Sequence, residues 1–179
     1  MIINKKWFIN IFDKIFGVQP QRKLNLYIVE DVIYYAKMLE INLENIGYEN
    51  IKLFHNGEDV VNYLKINTTD CIILDHILSE DGLNGSDVLS FVNKNNPKVK
   101  VIILSGQENV EVAANMMKEG AYDYIIKNDM ALFNLKNTLS RLEEFINEKE
   151  KAVWRDKRIK FLYIILIIIL WILALVVFF

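Results

Sequence analysis

The sequence predicts an α/β domain: a (βα)5 chain folded as a doubly wound, parallel, five-stranded sheet. Three observations predict it. Between about residues 24 and 127, short apolar runs alternate with longer segments patterned for helix. The runs "CIIL" and "VIIL" are apolar throughout, as strands are when helices cover both faces of a parallel sheet. Three of the runs end in polar groups: "LYIVED" at 26–31, "CIILDH" at 71–76 and "VIILSG" at 101–106. In a doubly wound sheet the carboxyl ends of the strands form the crevice where ligands bind, so these endings mark a candidate site.

In chain order, the first segment, "MIINKKWFINIFDKIFGVQPQRK", lacks the long apolar core and small-residue cleavage site of a secretory signal. On a helix over residues 1–18, Trp7, Phe8, Ile9, Ile11, Phe12, Ile15 and Phe16 share a broad face opposite Lys6, Asn10, Asp13, Lys14 and Gly17. Such a helix suits the membrane interface, and equally suits packing on the domain or on a second copy. Gly17 and Pro20 end it and open a linker over 19–24. Strands are then predicted at 24–29, 51–54, 70–74, 99–104 and 122–126, with helices at 32–46, 57–66, 86–95, 109–118 and 130–147. Leu132, Leu135, Leu139, Leu142 and Ile146, spaced alternately by three and four, form a stripe on the last helix whose first part is expected to pack on the sheet. Its charged extension, with Glu143, Glu144 and Glu148, reads as a solvated stalk or as a short dimer contact.

Residues 148–160 form a basic juxtamembrane stalk with Lys151, Arg155, Lys157, Arg158 and Lys160. Residues 161–179, "FLYIILIIILWILALVVFF", carry no charge and no Gly or Pro. As a helix they reach about 28 Å, close to the thickness of a bilayer's hydrocarbon core. The expectation is a single-pass tail anchor, with the basic flank and the body of the protein in the cytoplasm by the positive-inside rule. Lys+Arg 21 against Asp+Glu 23 gives no global field that would mark nucleic acid as a partner. The single cysteine, Cys71, excludes an intrachain disulfide and reads as a small buried hydrophobe.

Glu30, Asp31, Asp75, Ser105 and Lys127 all fall at strand ends of the predicted crevice. Carboxylates held close together raise one another's pKa unless a cation joins them. A hard divalent ion with oxygen ligands, Mg²⁺ or Mn²⁺, fits that need. With the lysine and the serine hydroxyl beside it, one carboxylate would be set up to accept a phosphoryl group.

These pieces, "VED" after the first strand, "IILDHIL", "VIILSG" and "GAYDYIIK" in that order, resemble a response-regulator receiver domain of two-component signalling over residues 25–147. The resemblance implies a flavodoxin-like receiver fold with Asp75 as phosphoacceptor. It implies a Mg²⁺ site made by Asp31, Glu30, Asp75 and the backbone carbonyl of Ile77, and phosphoryl contacts from Ser105 and Lys127. Tyr124 matches the aromatic whose rotamer accompanies switching, with a plain strand role as the alternative. The family usually has proline four residues after the acceptor and directly after the lysine; here Ser79 and Asn128 stand there. The loop "SEDGLNG" is about two residues longer than usual. His76, beside the acceptor, is expected to shape its loop or face solvent, and Ile77 and Gln107 to tune phosphoryl lifetime.

The function expected is that of a membrane-tethered, single-domain response regulator in the bacterial inner membrane, without a DNA-binding domain. It would take its phosphoryl group from a histidine kinase or phosphotransfer protein. Phosphorylation would switch a protein contact on the face formed by the fourth helix, fifth strand and fifth helix, with a homodimer among the open arrangements. No separate general acid or substrate pocket is legible, so enzymatic activity is expected to be confined to self-catalysed phosphoryl transfer and hydrolysis. The alternative is a membrane adaptor that keeps the fold without cycling phosphate.

Overall fold

The computed structural model describes residues 22–78 and 82–178. The expected N-terminal helix and Ser79 lie outside the described residues. Strands β1 (Leu26–Val29), β2 (Ile51–Phe54), β3 (Cys71–Asp75), β4 (Lys100–Ser105) and β5 (Asp123–Ile126) alternate with five helices. These are α1 (Ile33–Asn45), α2 (Gly57–Leu64), α3 (Gly85–Asn95), α4 (Val110–Lys118) and α5 (Ala131–Phe178). The sheet is parallel throughout, in the order β2-β1-β3-β4-β5. This is the doubly wound arrangement expected, with its crossing point between β1 and β3.

Two compact units divide the chain, and the first, Lys23–Glu143, holds the sheet. Successive strand residues serve opposite faces. Tyr27, Val29, Ile72, Leu74, Val101 and Ile103 build one core with Val60, Leu64, Val88, Val92 and Met116. The alternate residues, Leu26, Ile28, Cys71, Ile73, Ile102 and Leu104, are as deeply buried. So are Ala36, Leu39 and Leu43 of α1 and Leu135, Leu139 and Leu142 of α5. That double burial is why "CIIL" and "VIIL" show no polar alternation. Burial also pushes the Cys71 thiol well above its ordinary value, as suits an inert core position.

Local chemistry fixes where the helices begin. The Asn56 side chain accepts the Asp59 N–H at 2.8 Å to cap α2, and Asn84 with Asp87 forms a capping box at α3. α1 starts differently: its cap residue is Val32, whose side chain makes no cap bond. Gly85 lies where a Cβ would sit 2.6 Å from the Asp75 carbonyl oxygen and 2.8 Å from the His76 Cα. Only glycine lets α3 approach the end of β3 this closely. Gly120, at φ 98°, makes the left-handed turn that leads from α4 into β5.

At the far end of α5's buried stripe, Glu143 accepts hydrogen bonds from the Tyr48 hydroxyl and the Lys23 ammonium, both at 3.2 Å. The Asp123 carboxylate accepts from Thr138 at 2.6 Å and from Arg141 at 3.3 Å, fastening β5 to α5.

The second unit includes Arg22 and residues 144–178 among the described residues. Arg22 pairs with Glu150 at 2.8 Å, and the Asn147 amide donates to the Arg22 carbonyl at 3.4 Å. No glycine or proline interrupts α5, which runs without a break from Ala131 to Phe178. Its apolar part from Phe161 to Val176 exposes its large side chains. It is a candidate membrane span by length and composition.

Candidate functional site

The strand register assembles the site. Val29 pairs with Leu74, so the next residues, Glu30 and Asp75, lie side by side at the ends of β1 and β3. Asp75 pairs with Leu104, which puts Ser105 one step further out, and Ser105 pairs with Ile126, just before Lys127. The Lys127 N–H donates to the Ser105 carbonyl at 2.7 Å and fixes the lysine's backbone beside the serine. All five candidate side chains thus belong to the carboxyl edge of the sheet, as the strand endings predicted.

Lys127 is the hub. Its ammonium donates to Asp75 Oδ2 at 2.6 Å and to Glu30 Oε2 at 2.7 Å. Asp75 Oδ1 accepts the Ile77 N–H at 3.1 Å, which folds the loop after β3 back over the carboxylate. Glu30 is only 1% exposed, and its other oxygen, Oε1, is buried with no hydrogen-bond partner. Burial pushes the Glu30 carboxyl above its ordinary value of 4.5; the bond from Lys127 opposes this and the Asp75 charge adds to it. For Lys127, burial alone would lower the pKa, but the hydrogen bonds to Asp75 and Glu30 outweigh it and the ammonium is held above 10.5.

Asp31 is half-buried and joins Glu30 and Asp75: each of the three offers a carboxylate oxygen within 4.8 Å of the others. An oxygen-only donor set with one desolvated, unpartnered carboxylate oxygen suits a hard divalent cation and its water. The residues present therefore fit Mg²⁺ or Mn²⁺.

Ser105 is fully buried, and its hydroxyl oxygen accepts the Gln107 N–H at 3.1 Å. Tyr124 packs against the core, and its hydroxyl donates to the Gln107 carbonyl at 3.0 Å. Gln107 is thus bonded through its two backbone groups to the serine on β4 and the tyrosine on β5. Ile77 is exposed beside Asp75, while His76 is half-buried with its Nδ1 shielded and unpartnered. Asn128 sits in a trans chain and its side chain accepts the Met130 N–H at 3.0 Å, helping to launch α5 where the resembling family has proline.

Three contacts had no place in the sequence pattern. His55 Nδ1 lies 3.0 Å from the Glu30 carbonyl oxygen and ties the end of β2 to the site. Glu58 accepts the Leu83 N–H at 2.6 Å, anchoring the loop before α3 to α2. Tyr35, one helical turn after Asp31, lies against Lys127, with its ring centroid 4.7 Å from the ammonium nitrogen.

Fold and carboxylate crevice together define a receiver of the two-component type, and comparison with known proteins agrees. The sequence profile of the response regulator receiver domain matches residues 26–138. A protein of Rickettsia felis described as an NtrX-like response regulator is 32% identical over 137 residues, which are 73% of this chain and 29% of that protein. The transcriptional regulatory protein ZraR of Salmonella typhimurium is 28% identical over 59% of this chain and 23% of its own length. Among solved structures, the signal receiver domain of a LuxO-type repressor protein from Vibrio parahaemolyticus superposes with a TM-score of 0.64 at 25% identity, covering 74% of this chain and 98% of that one. The chain belongs to the response regulator receiver domain family. It spans less than a third of the length of the curated relatives it matches.

The raised Glu30 pKa has a sign that can be measured. An acid whose folded pKa is raised contributes stability below its unfolded pKa and loses it as pH rises through the folded value. With divalent ions chelated, wild-type protein is expected to lose stability relative to Glu30→Gln as pH rises above about 4.5. Urea unfolding of both proteins across pH checks this, and a difference that does not change with pH would contradict it.

Proposed function

We propose that the protein accepts a phosphoryl group on Asp75 and uses it to switch a protein contact while tethered to a membrane. The observation that carries the reading is the position of Asp75: the end of the central strand, beside two further carboxylates, with one oxygen held by Lys127 and the other by the Ile77 N–H. Glu30, Asp31 and Asp75 would hold Mg²⁺ or Mn²⁺, joined by the Ile77 carbonyl. The ion would supply charge neutralisation for the phosphoryl oxygens.

In the transfer, an Asp75 carboxylate oxygen attacks the phosphorus of a phosphohistidine on a kinase or phosphotransfer protein. An O–P bond forms, the P–N bond breaks, and the imidazole leaves with the electron pair and takes up a proton. Lys127 then exchanges its bond to Asp75 for one to a phosphoryl oxygen, and the Ser105 hydroxyl donates to another. Because the Ser105 oxygen holds the Gln107 N–H and Tyr124 holds the Gln107 carbonyl, a shift of the serine pulls on Tyr124 through one residue. Exposed Val110 of α4 and Met130 and Phe133 at the start of α5 supply apolar surface on that side for an output partner. Hydrolysis of the acyl phosphate by water resets the domain.

The domain bounds we propose with this reading are a receiver over 25–147, a basic stalk over 148–160 and a span over 161–179. The uncharged helix and its lysine- and arginine-rich flank support a cytoplasmic receiver on the inner membrane. Tethering raises the effective concentration of the receiver towards a membrane-bound kinase.

Incubation of the full chain in detergent with acetyl phosphate and Mg²⁺ is expected to add one phosphoryl group, about 80 Da by intact mass, and Asp75→Ala is expected to gain none. A gain that survives Asp75→Ala, or no gain in folded wild type, would overturn the assignment. In cells, the chain is expected to remain with membranes through an alkaline carbonate wash; release into the wash would contradict the tether.

A further inference from the structure

The Lys127 ammonium has three N–H donors, and carboxylates account for two of them. The lysine stem is long and flexible, and the two carboxylates hold the ammonium from their own side only. Its side chain is nonetheless only 18% exposed. The remaining side is closed by Tyr35, which is half-buried on the first turn of α1 and presents its ring at 4.7 Å from the ammonium nitrogen. A ring face carries negative quadrupole density, and its attraction for a cation grows as the pair is withdrawn from water.

We propose that Tyr35 is a positioning residue: the face of its ring holds the Lys127 ammonium in the crevice, so that the cation is seated before a phosphoryl group arrives. The ammonium then sits in a three-sided seat of Asp75, Glu30 and the ring. The phenol hydroxyl has no part in it, so phenylalanine can substitute for tyrosine whereas an aliphatic side chain of similar bulk cannot. The consequence for phosphoryl transfer rests on the phosphoacceptor reading above, but the seat itself does not.

Two readouts on the full chain in detergent separate these. The first is the proton shift of the Lys127 ε-methylene group in protein labelled at lysine, assigned by the loss of one signal in Lys127→Arg. Ring-face contact displaces this signal upfield. The displacement is expected in wild type and Tyr35→Phe and is expected to vanish in Tyr35→Leu. The second is the rate of phosphoryl incorporation from acetyl phosphate, expected to be near wild type in Tyr35→Phe and about tenfold slower in Tyr35→Leu, equivalent to about 1.4 kcal/mol.

A Tyr35→Leu protein that keeps the wild-type lysine shift, or that is phosphorylated at the wild-type rate, would overturn the proposal. Ring-dependent shifts without phosphorylation of any variant would uphold the seat and retire the phosphoacceptor reading. If Tyr35→Leu does not fold, as judged by urea unfolding, Tyr35→Met serves for both readouts with the same expectations.

Discussion

Three carboxylates confined to the ends of two neighbouring parallel strands are the constraint around which this domain is arranged. Bringing Glu30, Asp31 and Asp75 within 4.8 Å of one another is unfavourable unless positive charge is supplied. The protein supplies part of it through Lys127, delivered from β5, two strands away from Asp75, by the bond between its own N–H and the Ser105 carbonyl. One ammonium cannot satisfy three carboxylates, and the unpartnered oxygen of Glu30 marks the shortfall. A divalent cation or a phosphoryl group placed there would alter that charge balance.

Much of the remaining structure serves to hold those groups still. Apolar side chains on both faces of β1, β3 and β4 pin the register, since a slip of one residue would exchange every core side chain for its opposite. Gly85 allows α3 to abut the end of β3, and its N–H donates to the His76 carbonyl at 3.1 Å. His55 and Glu58 fasten the surrounding loops through backbone groups. The stability of the fold and the geometry of the site are for this reason difficult to vary independently.

The sheet was legible in the sequence because uninterrupted apolar runs such as "CIIL" and "VIIL", set between helix-patterned segments, are what strands covered on both faces require. Polar residues ending several of those runs located the crevice. Apart from the end of α5, strand and helix limits agree to within two residues; Asp75 and Ser105 close their strands rather than follow them, because each still pairs with the neighbouring strand. The unbroken length of α5 was not legible, since the change from charged to apolar composition suggests a boundary that the backbone does not make. Contacts made by a ring face or by backbone carbonyls, such as those of Tyr35 and His55, leave no compositional mark. They depend on which helix lies over which strand, and that is set by the fold.

Family membership accounts for the arrangement of the crevice, and the matched residues 26–138 do not extend to the apolar helical continuation with its basic flank. Whether Asp75 and its neighbours form a cation-dependent phosphoryl site is decided by ¹⁹F NMR of the full chain with beryllofluoride, a tetrahedral mimic of a bound phosphoryl group. Bound fluoride signals that require Mg²⁺ and vanish in Asp75→Ala are expected. Folded wild-type protein with no bound signals in the presence of Mg²⁺, or signals that persist in Asp75→Ala, would contradict it.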